Sequence, residues 1–357
     1  MMLGQPPGPE VRTLAASQGK THDVPLVHES ILRAKRILLV THVAPDGDAI
    51  GSMLGLGWLL RAQGKELIMT CEDPVPEVYR WLPGSRQVVQ LAPGLEQHDL
   101  VISLDCSDRR RMGRVFGPGQ CYGEESVTVP LINIDHHVTN TRFGTVNWVD
   151  PSSVATAQMV LGLADAACRD GQVGWEVTES VAICLLTGIV TDTRSFRTPN
   201  VDAGALRAAI RLMEAGAVLS DITRRALEQR PLASIRLWGQ AIGQLQLQDG
   251  VLWTEVTPSM RHRWALGEDG DSGLTNFLSG VREADVVIVF TERDNGTVDV
   301  GMRAAPGYDV AQVALDLGGG GHPQAAGCSL EGDLEDVKER VLDEVWRSMA
   351  ARRLEAS

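Results

Sequence analysis

Eight side chains in the first 192 residues stand out for the chemistry they can do. They are His42, Asp46 and Asp48 in HVAPDGD, Asp105 in LDCSD, Asp135, His136 and His137 in LINIDHH, and Asp192 in IVTD. Carboxylate and imidazole without thiolate form a donor set for Mn²⁺ or another hard-to-borderline divalent ion. Each residue also has an ordinary alternative. Asp48 can be the N-cap of a helix starting at Ala49, Asp105 a turn acceptor, Asp192 a helix-end residue, and either histidine a satisfied surface group. Their joint placement at the ends of apolar segments favours a shared ligand. Ionisable groups at the end of a buried strand are costly unless paired, and this many carboxylates repel one another unless cations lie between them. Six ligands are too many for one open ion but suit two that share a bridging carboxylate. Two ions about 3.5–4 Å apart activate water and brace both oxygens of an in-line phosphoryl displacement. The chemistry read from the residues is metal-assisted phosphoester hydrolysis.

The elements that must position these groups alternate. Strand-like stretches are ILLVTH (37–42), KELIMTC (65–71), DLVISLDC (99–106) and VPLINID (129–135), separated by helical ones at 25–36, 49–64 and 155–168. Strands apolar on both faces predict an α/β fold with a parallel sheet and helices on both faces, its ligands held beyond the carboxyl ends of the strands. The apolar run 178–192 is long enough for a buried helix. After residue 200 a helix-rich segment leads to Pro231. Beyond it come strands at 251–256, 285–292 and 296–303, with Asp294-Asn295-Gly296 as a hairpin turn, then helices at 309–317 and 333–348. The expected division is a flexible tail (1–24), a catalytic domain (25–215), a linker (216–232), a smaller α/β domain (233–348) and a tail (349–357), with the site in the interdomain cleft.

Composition narrows the class. At 357 residues, with 43% hydrophobic and 22% charged residues, the chain suits a two-domain soluble protein. Six scattered cysteines without a CxxC pair argue against a zinc–thiolate site or a disulfide framework, and favour the cytoplasm. No apolar run reaches the roughly 18 residues that a membrane span needs, so no membrane partner is expected. The net charge of −13 opposes a non-specific grip on long nucleic acid. The eight tryptophans form no spaced stacking platform and read mostly as core.

HVAPDGDAIGS (42–52), LDCSD (104–108), IDHH (134–137) and TDTRSF (191–196) resemble, in order, the four motifs of the DHH phosphoesterase superfamily, and GGGGHPQAAG (318–327) resembles the signature of the DHH-associated C-terminal domain. Within that superfamily the chain looks most like the NrnA-like bifunctional oligoribonucleases and pAp phosphatases, the nanoRNases. The resemblance implies two divalent ions, Mn²⁺ first, with Mg²⁺ or Co²⁺ as alternatives. It places His42 and Asp46 on one ion, Asp105 as the bridge, and Asp48, His136 and Asp192 on the other. It makes Asp135 a supporting carboxylate and His137 a substrate-facing imidazole. It also implies that the second domain grips the nucleotide, through Arg303, His322 and the backbone N–H groups of Gly318, Gly319, Gly320 and Gly321.

The activity so implied is Mn²⁺-dependent hydrolysis of short RNA oligonucleotides to 5′-mononucleotides and of 3′-phosphoadenosine 5′-phosphate (pAp), by an enzyme that can be a homodimer. A dinucleotide phosphodiesterase acting on cyclic di-AMP or pApA is the alternative. A nucleotide-sensing protein with a degenerate metal site is the non-enzymatic one, although every ligand position is filled. The glycine run and Arg303 also have plain readings, as a flexible connector and a surface ion-pair partner.

Overall fold

ILLV, LIMT, VISL and LINI carry apolar residues at nearly every position, which commits them to a sheet covered on both faces. The computed structural model describes residues 23–355 apart from 91–93, 115–128, 268–269 and 271–272. The tail expected over 1–24 lies outside the described residues except for its last two, and Cys121 lies outside them too. The first unit holds six strands: β1 (Arg36–Val40), β2 (Glu66–Thr70), β3 (Val88–Val89), β4 (Leu100–Leu104), β5 (Leu131–Asp135) and β6 (Val146–Val149). All pair in parallel, in the order β3-β2-β1-β4-β5-β6. The chain leaves β1 towards β2 and returns on its other side at β4, so the loops after β1 and β4 open a crevice between them.

Helices α1 (Asp23–Arg33), α2 (Gly47–Ala62), α3 (Thr156–Arg169), α4 (Glu179–Asp192), α5 (Ala203–Glu214) and α6 (Leu219–Thr223) share one core with Ile37, Leu39, Ile102 and Ile132. Helices were expected on both faces. Among the described residues the opposite face, with Leu38, Val40, Val101 and Leu131, is covered instead by Leu95, Cys106 and Met112. The described segments after β2 and β4 form only single 3₁₀ turns, too short to cover a sheet as helices do. Helix α2 meets α4 at glycine. A Cβ on Gly51 would lie 2.5 Å from the Cys184 carbonyl oxygen, and one on Gly188 would lie 2.6 Å from Asp48 Oδ1. This close approach brings Asp48 and Asp192 to one edge. The segment expected as a linker is helical over Leu219–Thr223 and 224–228, with Ile222 in the first core.

The second unit opens with α7 (Leu232–Ile242) and is built on β7 (Gln246–Gln248), β8 (Val251–Val256), β9 (Val286–Glu292), β10 (Thr297–Ala304), β11 (Gly320–His322) and β12 (Ala325–Glu331). Their order is β11-β12-β10-β9-β8-β7, with β8–β9 the one parallel pair. The expected hairpin joins β9 to β10, with Gly296 in the left-handed region. Helices α8 (Pro258–Arg263) and α9 (Leu274–Leu278) lie with α7 on one face, and α10 (Val310–Asp316) and α11 (Leu334–Glu355) on the other. Trp175 and Trp253 are buried. The other six tryptophans, expected mostly in the core, are half-buried, and several lie under arginines. No described helix is long and apolar enough to cross a membrane.

Candidate metal centre

Asp105 follows β4 with φ of 61°, a left-handed conformation that costs a non-glycine residue about 1–2 kcal/mol. That turn aims its carboxylate between two histidines. Oδ2 lies 3.6 Å from His42 Nε2, at the end of the neighbouring β1, and Oδ1 lies 3.6 Å from His136 Nε2, after β5. Both imidazoles present Nε2 because Nδ1 is used behind: His42 Nδ1 lies 2.8 Å from the Val43 carbonyl and His136 Nδ1 lies 3.2 Å from that of Ser153. Asp46 Oδ1 is 3.9 Å from His42 Nε2, while Asp48 Oδ2 and Asp192 Oδ2 are 3.9 Å and 3.6 Å from His136 Nε2. These separations are too long for hydrogen bonds. Ligand atoms that each sit ~2.1 Å from a shared cation lie about 3–4 Å apart, so the donor set fits cations on either side of Asp105. The six residues converge as two overlapping groups, His42–Asp46–Asp105 and Asp48–Asp105–His136, the second extended by Asp192.

The plain alternative for Asp48, as the cap of α2, does not hold. Asp46, not Asp48, is the N-cap, its Oδ1 accepting the N–H groups of Asp48 and Ala49 at 3.0 Å. Asp48 instead reaches across to α3, accepting from Thr156 N at 2.6 Å and Ala157 N at 2.9 Å, where no side chain of α3's own caps the helix. The Thr156 hydroxyl donates to Asp105 Oδ1 at 2.9 Å. Neither contact has a signal in the sequence, because the partners are 108 and 51 residues apart.

Without cations the cluster is electrostatically frustrated. Burial pushes the Asp48 carboxyl well up, and the charges of Asp105, Asp192 and Asp46 add to it. Asp192 is raised to about 6 by burial, partly offset by His136 and reinforced by Asp46 and Asp105. Burial also opposes charge on Asp105, but the close approach of His42 and the charges of the surrounding histidines outweigh it and hold that carboxyl below the ordinary range.

Asp135 and His137 adjoin this cluster, His137 Nδ1 lying 3.6 Å from Asp105 Oδ1. His137 Nδ1 lies 2.7 Å from Asp135 Oδ1, which also accepts the His136 N–H at 2.9 Å, and Asn140 Nδ2 donates to Asp135 Oδ2. Burial works against the imidazolium of His137. The hydrogen bond to Asp135 and the charges of Asp135, Asp105 and Asp192 prevail and raise it to about 9. His322 of the second unit stacks on His137, ring centroids 4.7 Å apart and planes 15° apart, so both units line the site. Burial and the nearby His137 and His136 hold His322 down at about 4, a neutral ring.

The glycine run divides. The N–H groups of Gly318 and Gly319 cap α10, bonding the carbonyls of Leu315 at 3.0 Å and Ala314 at 2.7 Å. They are therefore spent rather than offered to a ligand. A Cβ on Gly319 would lie 2.1 Å from Gly327 O and one on Gly321 2.5 Å from Ala325 O, whereas Gly320 faces open space. Arg303 on β10 donates from Nε to Asn276 Oδ1 at 2.7 Å and from Nη1 to Met302 O at 2.8 Å.

The first unit matches the DHH family N-terminal domain over residues 36–189, and the second matches the DHHA1 domain over 272–351. A bifunctional oligoribonuclease and PAP phosphatase NrnA from Thermus thermophilus is 39% identical over 312 residues, covering 87% of this chain and 89% of the relative. The chain belongs to the DHH family. A second NrnA of the same description, from Mycoplasma pneumoniae, is 24% identical to this DHH phosphoesterase and covers 88% of it and 93% of the relative. The crystal structure of an exopolyphosphatase-related protein from Bacteroides fragilis superposes with a TM-score of 0.79. It is 21% identical, spans 94% of this chain and 98% of its own, and shares the fold.

Proposed function

We propose that this DHH-family phosphoesterase hydrolyses short oligoribonucleotides to 5′-mononucleotides and removes the 3′-phosphate of pAp, using two divalent ions, Mn²⁺ first. The observation that carries the reading is Asp105, whose two oxygens face the Nε2 atoms of two different histidines at equal distance. The relative at 39% identity bears both activities in its name. His42, Asp46 and Asp105 would hold one ion, and Asp105, Asp48, His136 and Asp192 the other. When bound, the ions supply an acidified water and charge stabilisation for the phosphoryl oxygens.

The remaining steps belong to the chain. Asp135, fixed by Asn140 and the His136 N–H, keeps Nδ1 of His137 protonated and sets the plane of the ring. His137 Nε2–H then gives its proton to the departing oxygen of ribose or nucleotide, a role suited to an imidazole whose other nitrogen is held by a buried carboxylate. His322 packs on the outer face of that ring and limits the water around it.

The test is a panel of dinucleotide RNA, longer RNA, pAp and cyclic di-AMP, each with Mn²⁺ and with a chelator. Mononucleotide from the two-mer and phosphate from pAp, both abolished by chelation, are expected. Turnover of cyclic di-AMP alone would replace this reading with a dinucleotide phosphodiesterase, and no turnover of any substrate together with no bound Mn²⁺ would leave a nucleotide sensor.

A further inference from the structure

Directly after Asp192 the chain takes three consecutive left-handed residues, Arg194 (φ 47°), Ser195 (φ 59°) and Phe196 (φ 62°). Side chains rarely occupy that region, and three in a row persist only where surrounding bonds enforce them. Here the Ser195 N–H reaches Val190 O at 2.7 Å, the Phe196 N–H reaches Thr193 Oγ1 at 3.0 Å and the Arg197 N–H reaches Thr193 O at 2.8 Å. Arg197 Nε closes the turn on the Arg194 carbonyl at 2.7 Å. The turn sends the Arg194 guanidinium, half-buried, towards the second unit, where Nη1 lies 3.4 Å from Ser279 Oγ.

Helix α9 thereby holds two arginines. Asn276 fixes Nε of Arg303 and Ser279, at the helix end, meets Arg194. The two guanidiniums are thus gathered on one short helix, against residues three apart. Burial first, and Arg194 second, lower Arg303 to about 10, with Asp192 opposing both. Among the described residues neither has a carboxylate within ion-pair distance, so the pair is held together by neutral oxygens alone. Like charges kept close, partly buried and bonded only to neutral groups are arranged for an anion that arrives from outside. This anion site is offset from the His137–His322 stack. Arg303 and His322 flank the same residue, Ala325, from β10 and β11. Their backbones are therefore two strand spacings apart, about 10 Å.

We propose that Arg194, from the first unit, joins Arg303, already expected from the resemblance to contact the nucleotide, in gripping a second, non-scissile phosphate of the substrate. The site thus selects nucleotides that carry phosphate on both sides of one nucleoside, such as pAp and 5′-phosphorylated dinucleotides. Arg194 acts as a specificity residue, and its strained turn is what brings a guanidinium of the first unit to α9. The clamp rests on the phosphoesterase reading above, and it adds the requirement for the second phosphate.

The experiment compares kcat/KM for adenosine 3′,5′-bisphosphate with that for adenosine 3′-monophosphate, with Mn²⁺, in the unaltered protein and in Arg194→Gly, Arg194→Lys and Arg303→Ala. Glycine suits the left-handed backbone, so Arg194→Gly deletes the guanidinium while easing the turn. The unaltered enzyme should prefer the bisphosphate. Arg194→Gly should cut that preference at least tenfold, chiefly through KM for the bisphosphate, with Arg194→Lys in between. The double variant with Arg303→Ala should lose less than the product of the single losses, because both arginines grip one phosphate. A purely structural role for Arg194 lowers both substrates together, so an unchanged ratio overturns the clamp. No turnover of either nucleotide by the unaltered protein overturns the phosphoesterase reading itself.

Discussion

The two units contribute opposite kinds of site. In the first, Asp46, Asp48, Asp105 and Asp192 crowd around the Nε2 atoms of His42 and His136, and burial raises Asp48 and Asp192. In the second, Arg303 and His322 are held by an amide, a carbonyl and an aromatic face, and burial lowers both. One side is short of positive charge and the other of negative charge. A phosphoester with its metal ions supplies both. Each unit is short of the kind of charge the other carries, and on the proposed reading the substrate with its ions bridges the two.

The most direct way to break this comparison is at Asp105. Asp105→Ala removes the carboxylate that faces both imidazoles. Loss of both ion positions should lower kcat/KM on the order of a thousandfold or more, since each 1.4 kcal/mol of lost charge stabilisation costs a decade. Bound Mn²⁺, measured by elemental analysis of the dialysed protein, should fall with it. Retention of two ions per chain would show that the cation side is organised around another residue.

A smaller effect separates the neighbouring histidines. His137 bonds Asp135 and stacks on His322, whereas His136 faces Asp48, Asp105 and Asp192. His137→Ala should keep its Mn²⁺ and lose roughly 10²–10⁴ in rate, the usual worth of a positioned proton donor. His136→Ala should lose Mn²⁺ as well. Equal metal loss in both variants would erase the distinction.

The first unit was far more legible in the sequence than the second. Strands buried on both faces announce themselves by composition, and a charged residue at such a strand's end has few places to go. His42, Asp105 and the Asp135–His137 run were therefore conspicuous. Their supports were not. Thr156, Asn140 and the amides that hold Asp48 act across turns whose geometry the sequence does not print. Helix α4 was recognisable from its apolar length, but the left-handed run after it was not, since Arg194, Ser195 and Phe196 carry no glycine to mark it. In the second unit a glycine run has several causes. Gly318 ends a helix and Gly319 and Gly321 let β11 pass close to β12, so packing accounts for three of the run's four glycines.

The mildest prediction sharpens the comparison through pH. Ions can bind the first unit only after its carboxylates lose their protons. Asp192, held up at about 6, sets the window, and Asp48 moves the same way. Mn²⁺ affinity should therefore climb as pH rises through about 6 and weaken about tenfold per pH unit below it for each proton displaced. Stability of the metal-free protein runs the opposite way. A raised carboxyl contributes stability that is present below its ordinary value and lost as pH rises through about 6, and His137 adds a loss as pH rises through about 9. His322, lowered to about 4, opposes this, because its contribution is present above the ordinary histidine value and lost as pH falls towards 4. Between pH 7 and 9 that opposing contribution is already complete, so the metal-free protein should lose melting temperature across this range. Saturating Mn²⁺ should then raise the melting temperature more at pH 8 than at pH 5.5. Equal shifts at the two values, measured by thermal melts with and without MnCl₂, would mean that the carboxylates are already ionised without metal and that the charge contrast between the units is weaker than their burial implies.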